Sequence, residues 1–269
     1  MNLDQRRAGL TIFPVDDQLA NKVATRRRPE EAATQQCSVV GQCVGGHDWS
    51  VATPDREESR TLASYEAAVE RYLEHSAPPG PEMVRYLDRF AAMVGAGDVL
   101  ELGSGPGCDA LHLEALGLRV TRSDATPAFL TRLRAAGYDA RFLDVRTGDL
   151  GGPWDGIIAD AVLLHLDRPD FGNVLARARR AVGDDGVLGF TVKEGDGDAW
   201  TTAKLGLPRH FTYWREPALR DALASAGWRV HRLDHVAGRH EPWVYVLALA
   251  GKTARDSTDK PDHPPSSSR

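Results

Sequence analysis

The chain has 269 residues, 42% of them hydrophobic, which suits one α/β domain with a sizeable core and loose ends. A formal net charge of -5 and a pI near 6.0 count against a protein that grips nucleic acid through its phosphates. No apolar run approaches a membrane span, and none follows Arg6-Arg7, so neither an anchor nor a secretion signal is expected.

Residues 1–57 mix polar and charged side chains, including Arg26-Arg27-Arg28, without a sustained period, and are expected to be disordered. The three cysteines, Cys37, Cys43 and Cys108, imply no disulfide framework and point to a reducing cytoplasm. Cys37, Cys43 and His47 match no common zinc spacing, so no metal is expected. From Glu58, the residues Leu62, Tyr65, Val69, Tyr72 and Leu73 fall on one helical face. A second helix follows Pro81, with Met83, Val84, Leu87, Phe90 and Ala91. A buried strand at Val99–Leu102 then runs into Gly103-Ser104-Gly105-Pro106-Gly107, and a helix from about Cys108 closes at Gly117. Further strands are predicted at Arg119–Ser123, Ala140–Leu143, Gly156–Ala159 and Val187–Val192. Helices opening near Pro127 and spanning Phe171 to Val182, the latter ending at Gly183, alternate with them, which predicts a parallel sheet. Lys193 to Thr212 shows no strong period. Pro217 opens a last helix, which Gly227 stops. The strands Trp228–Val236 and Trp243–Ala250 are joined by too short a turn for a crossover, so they must be antiparallel. Residues 58–250 therefore form the domain, and residues 251–269, with Pro264-Pro265 and three serines, are expected to be a disordered tail.

The glycine loop carries the chemistry. Glycine lets a backbone turn sharply and approach a ligand without a Cβ in the way. The dinucleotide fingerprint is G-x-G-x-x-G, but here the spacing is G-x-G-x-G. Glu101, on the strand just before the loop, would repel a pyrophosphate and suit a cationic group. Glu101-Leu102-Gly103-Ser104-Gly105-Pro106-Gly107 resembles the first motif, E/D-x-G-x-G-x-G, of the class I S-adenosylmethionine-dependent methyltransferases. The resemblance extends over about residues 58–250. It implies a doubly wound, mostly parallel seven-stranded α/β sheet of Rossmann-like type, with an antiparallel C-terminal hairpin strand and N-terminal helices forming a lid. It also implies S-adenosylmethionine as the cofactor.

On that resemblance the cofactor site takes Glu101, Gly103, Ser104, Gly105 and Gly107 from the loop. Asp124, about 20 residues past the loop's start, stands where such folds place an acid for both ribose hydroxyls, with Ala125 beside it. Capping of the helix at Pro127 is the alternative role for Asp124. Asp144 is expected at the adenine amino group and Val145 against the ring, with Ala159 and Asp160 at the end of the fourth strand. Tyr65 and Tyr72 either face the site from the lid or anchor the core.

For chemistry, His165 would stand at the carboxyl edge of the sheet, where an imidazole of ordinary pKa suits a general base. Packing in an apolar turn is its other reading. His210 is a second candidate. Trp200 and Tyr213 are expected in the acceptor pocket, with Trp214 covering it; Lys193 and Glu194 either contact the acceptor or pair with each other. After the fourth strand stands Ala159-Asp160-Ala161-Val162, with no Asn/Asp-Pro-Pro-aromatic motif, no Pro-Cys nucleophile and no metal-binding companion for Asp160. These absences favour a small-molecule O or N acceptor. A protein or tRNA acceptor, and a cofactor-binding protein without catalysis, are the alternatives. Nothing in the residues specifies an oligomeric state.

Overall fold

A computed structural model describes residues 57–76 and 78–251. The expectations for Arg26-Arg27-Arg28, for Cys37, Cys43 and His47, and for disorder at the two ends fall outside the described residues. In chain order the elements begin with α1 (Glu57–Ala67), α2 (Val69–Glu74), α3 (Pro81–Val94), β1 (Asp98–Leu102) and α4 (Cys108–Ala115). There follow β2 (Arg119–Asp124), α5 (Pro127–Ala135), β3 (Ala140–Phe142), β4 (Trp154–Ala159), a 3-10 turn at Leu163–His165, α6 (Arg168–Ala181) and β5 (Val182–Lys193). The rest is β6 (Asp198–Thr201), β7 (Arg209–Thr212), α7 (Glu216–Ser225), β8 (Trp228–Val236) and β9 (Trp243–Ala250). Among the described residues no helix is long and apolar enough to cross a membrane.

Seven strands form one sheet in the order β3-β2-β1-β4-β5-β9-β8. The pairs from β3 to β5 are parallel, whereas β9 runs antiparallel to both β5 and β8. The inner strands are covered on both faces, so they read as nearly continuous apolar runs. Side chains alternate between those faces. Val99, Ile158 and Val187 meet α3 and α4 through Phe90 and Leu113, while Leu100, Leu102, Ile157 and Phe190 meet α6 and α7 through Phe171, Leu175, Leu219 and Leu223. Each such fully buried side chain contributes on the order of 2 kcal/mol relative to exposure.

Three expectations are corrected here. The helix from Glu58 is broken at Ala68, whose φ of -129° and ψ of 26° are not helical, giving α1 and α2. The helix at Pro81 is not part of a lid. It lies on the sheet, and Phe90 packs so closely that a Cβ on Gly156 would come within 2.8 Å of its Cζ. Gly183 does not end a helix. Val182 already pairs with Trp154, and Gly183, Asp184 and Asp185 lie exposed in a bulge before Val187 pairs with Gly156.

Candidate functional site

Parallel strands send their carboxyl ends to one edge of a sheet, so the loops that follow them gather there. Gly103 and Gly105 after β1, Asp124 to Thr126 after β2, Leu143 to Arg146 after β3 and Asp160 to Val162 after β4 line one crevice. Thr61, Leu62 and Tyr65 of α1 and Tyr72 of α2 face them from the other side, with Phe129 of α5. The lid therefore consists of α1 and α2.

The glycines of the loop have distinct tasks. Gly103 and Gly105 have φ of 66° and 49°, the left-handed region that side chains disfavour. A Cβ on Gly103 would stand 2.4 Å from Val162 Cγ2, whereas one on Gly105 would meet nothing within 4 Å. Gly105 thus presents bare backbone to the open crevice. Gly107 does not line it; its missing Cβ leaves room for Leu133 of α5. Ser104 also turns inward, its hydroxyl accepting the Ser123 amide at 3.1 Å. Ala159 is wholly buried within β4 and does not reach the crevice either.

Glu101 shares the face of Val99, which carries it beneath the first turn of α4. It is 4% exposed, and its Oε2 has no hydrogen-bond partner. Burial pushes its carboxyl up to about 7, against the Ser104 hydroxyl, Arg122 and the Ala110 amide, which pull it down. Asp109, in the same turn, is pushed up by burial and by the charges of Asp160 and Glu101. Asp160 is raised by its own burial, although the Thr191 hydroxyl donates to it. Glu101 and Asp109 do not line the crevice, whereas Asp160 does; buried acids crowded in this way, one with a bare oxygen, are a group that a cation close by would relieve. The sulfonium and ammonium of S-adenosylmethionine fit that requirement, and the bare backbone at Gly105 fits a ligand lying close above it.

Asp124 ties two loops together. Its Oδ2 accepts the Gly105 amide at 2.9 Å and its Oδ1 the Thr126 amide at 2.8 Å. The helix-cap alternative is thus partly realised: Thr126 is the cap residue of α5 but makes no side-chain cap bond, and Asp124 takes its amide instead. Asp124 still lines the crevice, and burial raises its carboxyl. Asp144 also lines it. Burial would raise Asp144, but Arg146, donating from Nη2 at 2.7 Å, from Nε at 3.1 Å and from its amide, outweighs burial and holds it low. Ala125 and Val145 complete these two loops.

A second cavity, about 320 Å³, adjoins the crevice and shares Tyr65, Tyr72, Asp160, Ala161 and His165 with it. The His165 ring is fully engaged there. Its Nδ1 lies 2.7 Å from the His210 carbonyl, which can only accept, so Nδ1 carries the proton. Its Nε2 then accepts the Tyr65 hydroxyl at 3.0 Å. Burial pushes the imidazole down to about 3. Burial thus works against a second proton on this ring, and both ring nitrogens are engaged.

The stretch after β5 is where sequence reading missed most. Lys193 to Thr212 holds a β6–β7 hairpin, with Trp200 opposite His210. Arg209 and Phe211 of β7 line the second cavity, together with Lys193 and Lys204. His210 points the other way, to Asp198 Oδ1 at 3.1 Å and the Trp200 ring. The His210 side chain, Trp200 and Tyr213 line neither cavity. Tyr213 donates to Glu241 at 2.8 Å, and Trp214 is buried against Phe171. Lys193 pairs with Glu241, and Glu194 accepts from His235 at 3.0 Å, so the two do not pair with each other. The strand Arg209–Thr212 is only four residues long, buried throughout, and has no polar–apolar alternation to mark it.

The strand order, with β9 inserted antiparallel, and a glycine loop opening on the crevice define the class I S-adenosylmethionine-dependent methyltransferase fold. A family model described as "Methyltransferase domain" matches residues 63–233. The chain belongs to that family. Solved structures agree in fold. The 1,6-didemethyltoxoflavin-N1-methyltransferase of Burkholderia thailandensis, with 1,6-didemethyltoxoflavin and S-adenosylhomocysteine bound, is 21% identical at a TM-score of 0.54, over 77% of this chain and 94% of that one. The DhpI-SAM-HEP complex is 22% identical at 0.57, over 73% and 99%. The CcbJ methyltransferase of Streptomyces caelestis is 18% identical at 0.56, over 70% and 98%. No curated protein matches the sequence at a significant level.

Proposed function

We propose that this protein transfers the methyl group of S-adenosylmethionine to an O or N atom of a small organic acceptor. The observation that carries the reading is the meeting of two cavities at one wall. The crevice over the glycine loop has the acids and bare backbone suited to the cofactor. The neighbouring cavity of about 320 Å³ lies within the range for small-molecule ligands. Solved structures of the same fold include a 1,6-didemethyltoxoflavin-N1-methyltransferase with 1,6-didemethyltoxoflavin bound, which supports this class. With three cysteines in 269 residues, we place the enzyme in the reducing cytoplasm.

In this reading Glu101 and Asp160 hold the cationic end, Gly103 and Gly105 carry the backbone under it, and Asp124 accepts the ribose hydroxyls through its remaining lone pairs. Ala125 and Val145 flank the nucleoside, and Asp144 positions the loop around the base. S-adenosylmethionine supplies an electrophilic methyl on a sulfonium, so the chain's main work is alignment at about 3 Å and exclusion of water. Tyr65 and Tyr72, on the shared wall, close over the line of transfer. His165 acts as a positioning residue: its Nε2 fixes the Tyr65 hydroxyl, and its Nδ1–H anchors the turn after β4 to β7.

Two measurements test the proposal. Asp124→Ala should weaken S-adenosylhomocysteine binding by roughly 1–3 kcal/mol in calorimetry; an unchanged affinity in a folded variant would remove Asp124 from the site. Label from methyl-labelled S-adenosylmethionine, incubated with the enzyme and cell extract, should enter the small-molecule fraction. Label found solely in protein or RNA would refute the acceptor class.

A further inference from the structure

We propose that the acceptor carries an anionic group, a carboxylate or a phosphate, and that Arg209 and Lys204 hold it in the second cavity. The inference rests on the reading of that cavity as the acceptor site. Its starting point is a buried cation without a counter-charge. Arg209 is 7% exposed and lines the cavity. Its Nη2 donates to the Ala203 carbonyl at 2.7 Å and its Nη1 to the Tyr65 hydroxyl at 3.2 Å. Its Nε is buried and donates to nothing. Among the described residues no carboxylate forms an ion pair with it. A buried guanidinium is tolerated when an anion meets it, and its fork of donors suits two oxygens at once.

Lys204 repeats the pattern beside it. Its backbone φ of 71° is one that a non-glycine residue rarely adopts. That conformation delivers Nζ into the cavity, 3.5 Å from the centre of the Tyr72 ring and 3.3 Å from Ser76 Oγ. Burial and the neighbouring Arg209 charge push the ammonium down to about 8, although Asp160 pulls the other way. Two like charges thus line the same cavity. The other cation, Lys193, differs because Glu241 already neutralises it. Asp160 is the one acid among the cavity's described lining residues. It stands on the wall shared with the crevice and takes the Thr191 hydroxyl. Lys193, Lys204 and Arg209 line this cavity and not the crevice, so positive charge is in surplus here. Phe211, Trp243 and Tyr245 line it as well, with Met83 and Leu164, so the anionic group belongs to a molecule with a flat or apolar body.

The test uses the full chain, with and without S-adenosylhomocysteine, and three probes of one shape: benzoate, phenyl phosphate and neutral benzamide. At least one anion should bind at least about tenfold tighter than benzamide, the effect of one charged hydrogen bond. The two anions separate carboxylate from phosphate. Arg209→Met and Lys204→Met should each remove most of that preference while S-adenosylhomocysteine affinity is kept, and Arg209→Lys should recover part of it. If Arg209→Met fails to fold, Lys204→Met decides. Benzamide binding as tightly as the anions, no anion binding at all, or a preference that survives in the folded Met variants would overturn the proposal. Should the wild-type chain fail to bind S-adenosylhomocysteine, the methyltransferase reading falls and this inference with it; cofactor binding without anion preference sinks this inference alone.

Discussion

Replacing Glu101 by glutamine should raise the stability of the ligand-free protein at pH 8 and weaken its hold on the cofactor. The first effect follows from burial. A rise from the ordinary 4.5 to about 7, at about 1.4 kcal/mol per pH unit, makes the ionised carboxylate cost the fold roughly 3 kcal/mol above pH 7. Because the folded value is raised, the stabilisation belongs to the protonated form. It is complete below pH 4.5 and is lost as pH climbs through 7. At pH 5 most of the cost is absent, so the variant's advantage over the wild type should grow by roughly 2–3 kcal/mol between pH 5 and pH 8. Glutamine cannot ionise, but its amide N–H₂ needs an acceptor, which trims the gain by about 1 kcal/mol at every pH. For a domain of this size the growing gap appears as a relative shift in melting temperature of roughly 5–10 °C. Thermal melts of both proteins at the two pH values read it directly. Calorimetry at pH 8 should find S-adenosylhomocysteine bound at least about tenfold more weakly by the variant, for loss of a charged partner to its ammonium. Parallel melting curves across pH for the two proteins would refute the account of Glu101 as a buried acid awaiting a cation.

Other outcomes follow from the same geometry. His165→Phe should flatten the loss of stability in mild acid: the wild-type ring is held down at about 3, so as pH falls below 6.5 the unfolded chain takes a proton that the folded chain refuses. In the wild type, nitrogen NMR should find His165 neutral at pH 5, with the proton on Nδ1; a protonated ring there would contradict the assignment. Gly103→Ala should destabilise the fold by on the order of 1–3 kcal/mol, because its φ of 66° and the 2.4 Å approach to Val162 both oppose a methyl group. Gly105→Ala meets no neighbour, so chemical denaturation should find a smaller loss there, while calorimetry should find the larger loss of cofactor affinity.

Much of this protein is legible along the chain because its signals are local. A strand buried on both faces reads as an apolar run, and a helix that ends in Gly117 or opens at Pro217 announces its own boundaries. The parallel sense of the central strands follows from alternation with helices, and the antiparallel pairing of β8 with β9 from their short connection, whereas the strand order is seen only in the structure. The loop from Glu101 to Gly107 is contiguous, so its resemblance to a methyltransferase motif needs no tertiary knowledge. Direction is less legible. Gly107 and Ser104 belong to the loop, yet both are turned into the packing between α4, α5 and β2. Asp144 lines the crevice, but only the fold brings the Arg146 guanidinium around to clasp it.

The sequence alone thus determined the class of sheet, the family and the edge at which a ligand binds, since those depend on period, on punctuation by glycine and proline, and on short motifs. Tertiary structure alone decided which side chains face the second cavity. The β6–β7 hairpin is too short to print a period, and pairing with a partner strand is what turns Arg209 and Phe211 toward the cavity and buries His210 on the opposite face, against Trp200. It also decided the state of His165, whose tautomer and depressed pKa come from a carbonyl 45 residues away, from Tyr65 and from burial, none of them visible in its neighbours along the chain.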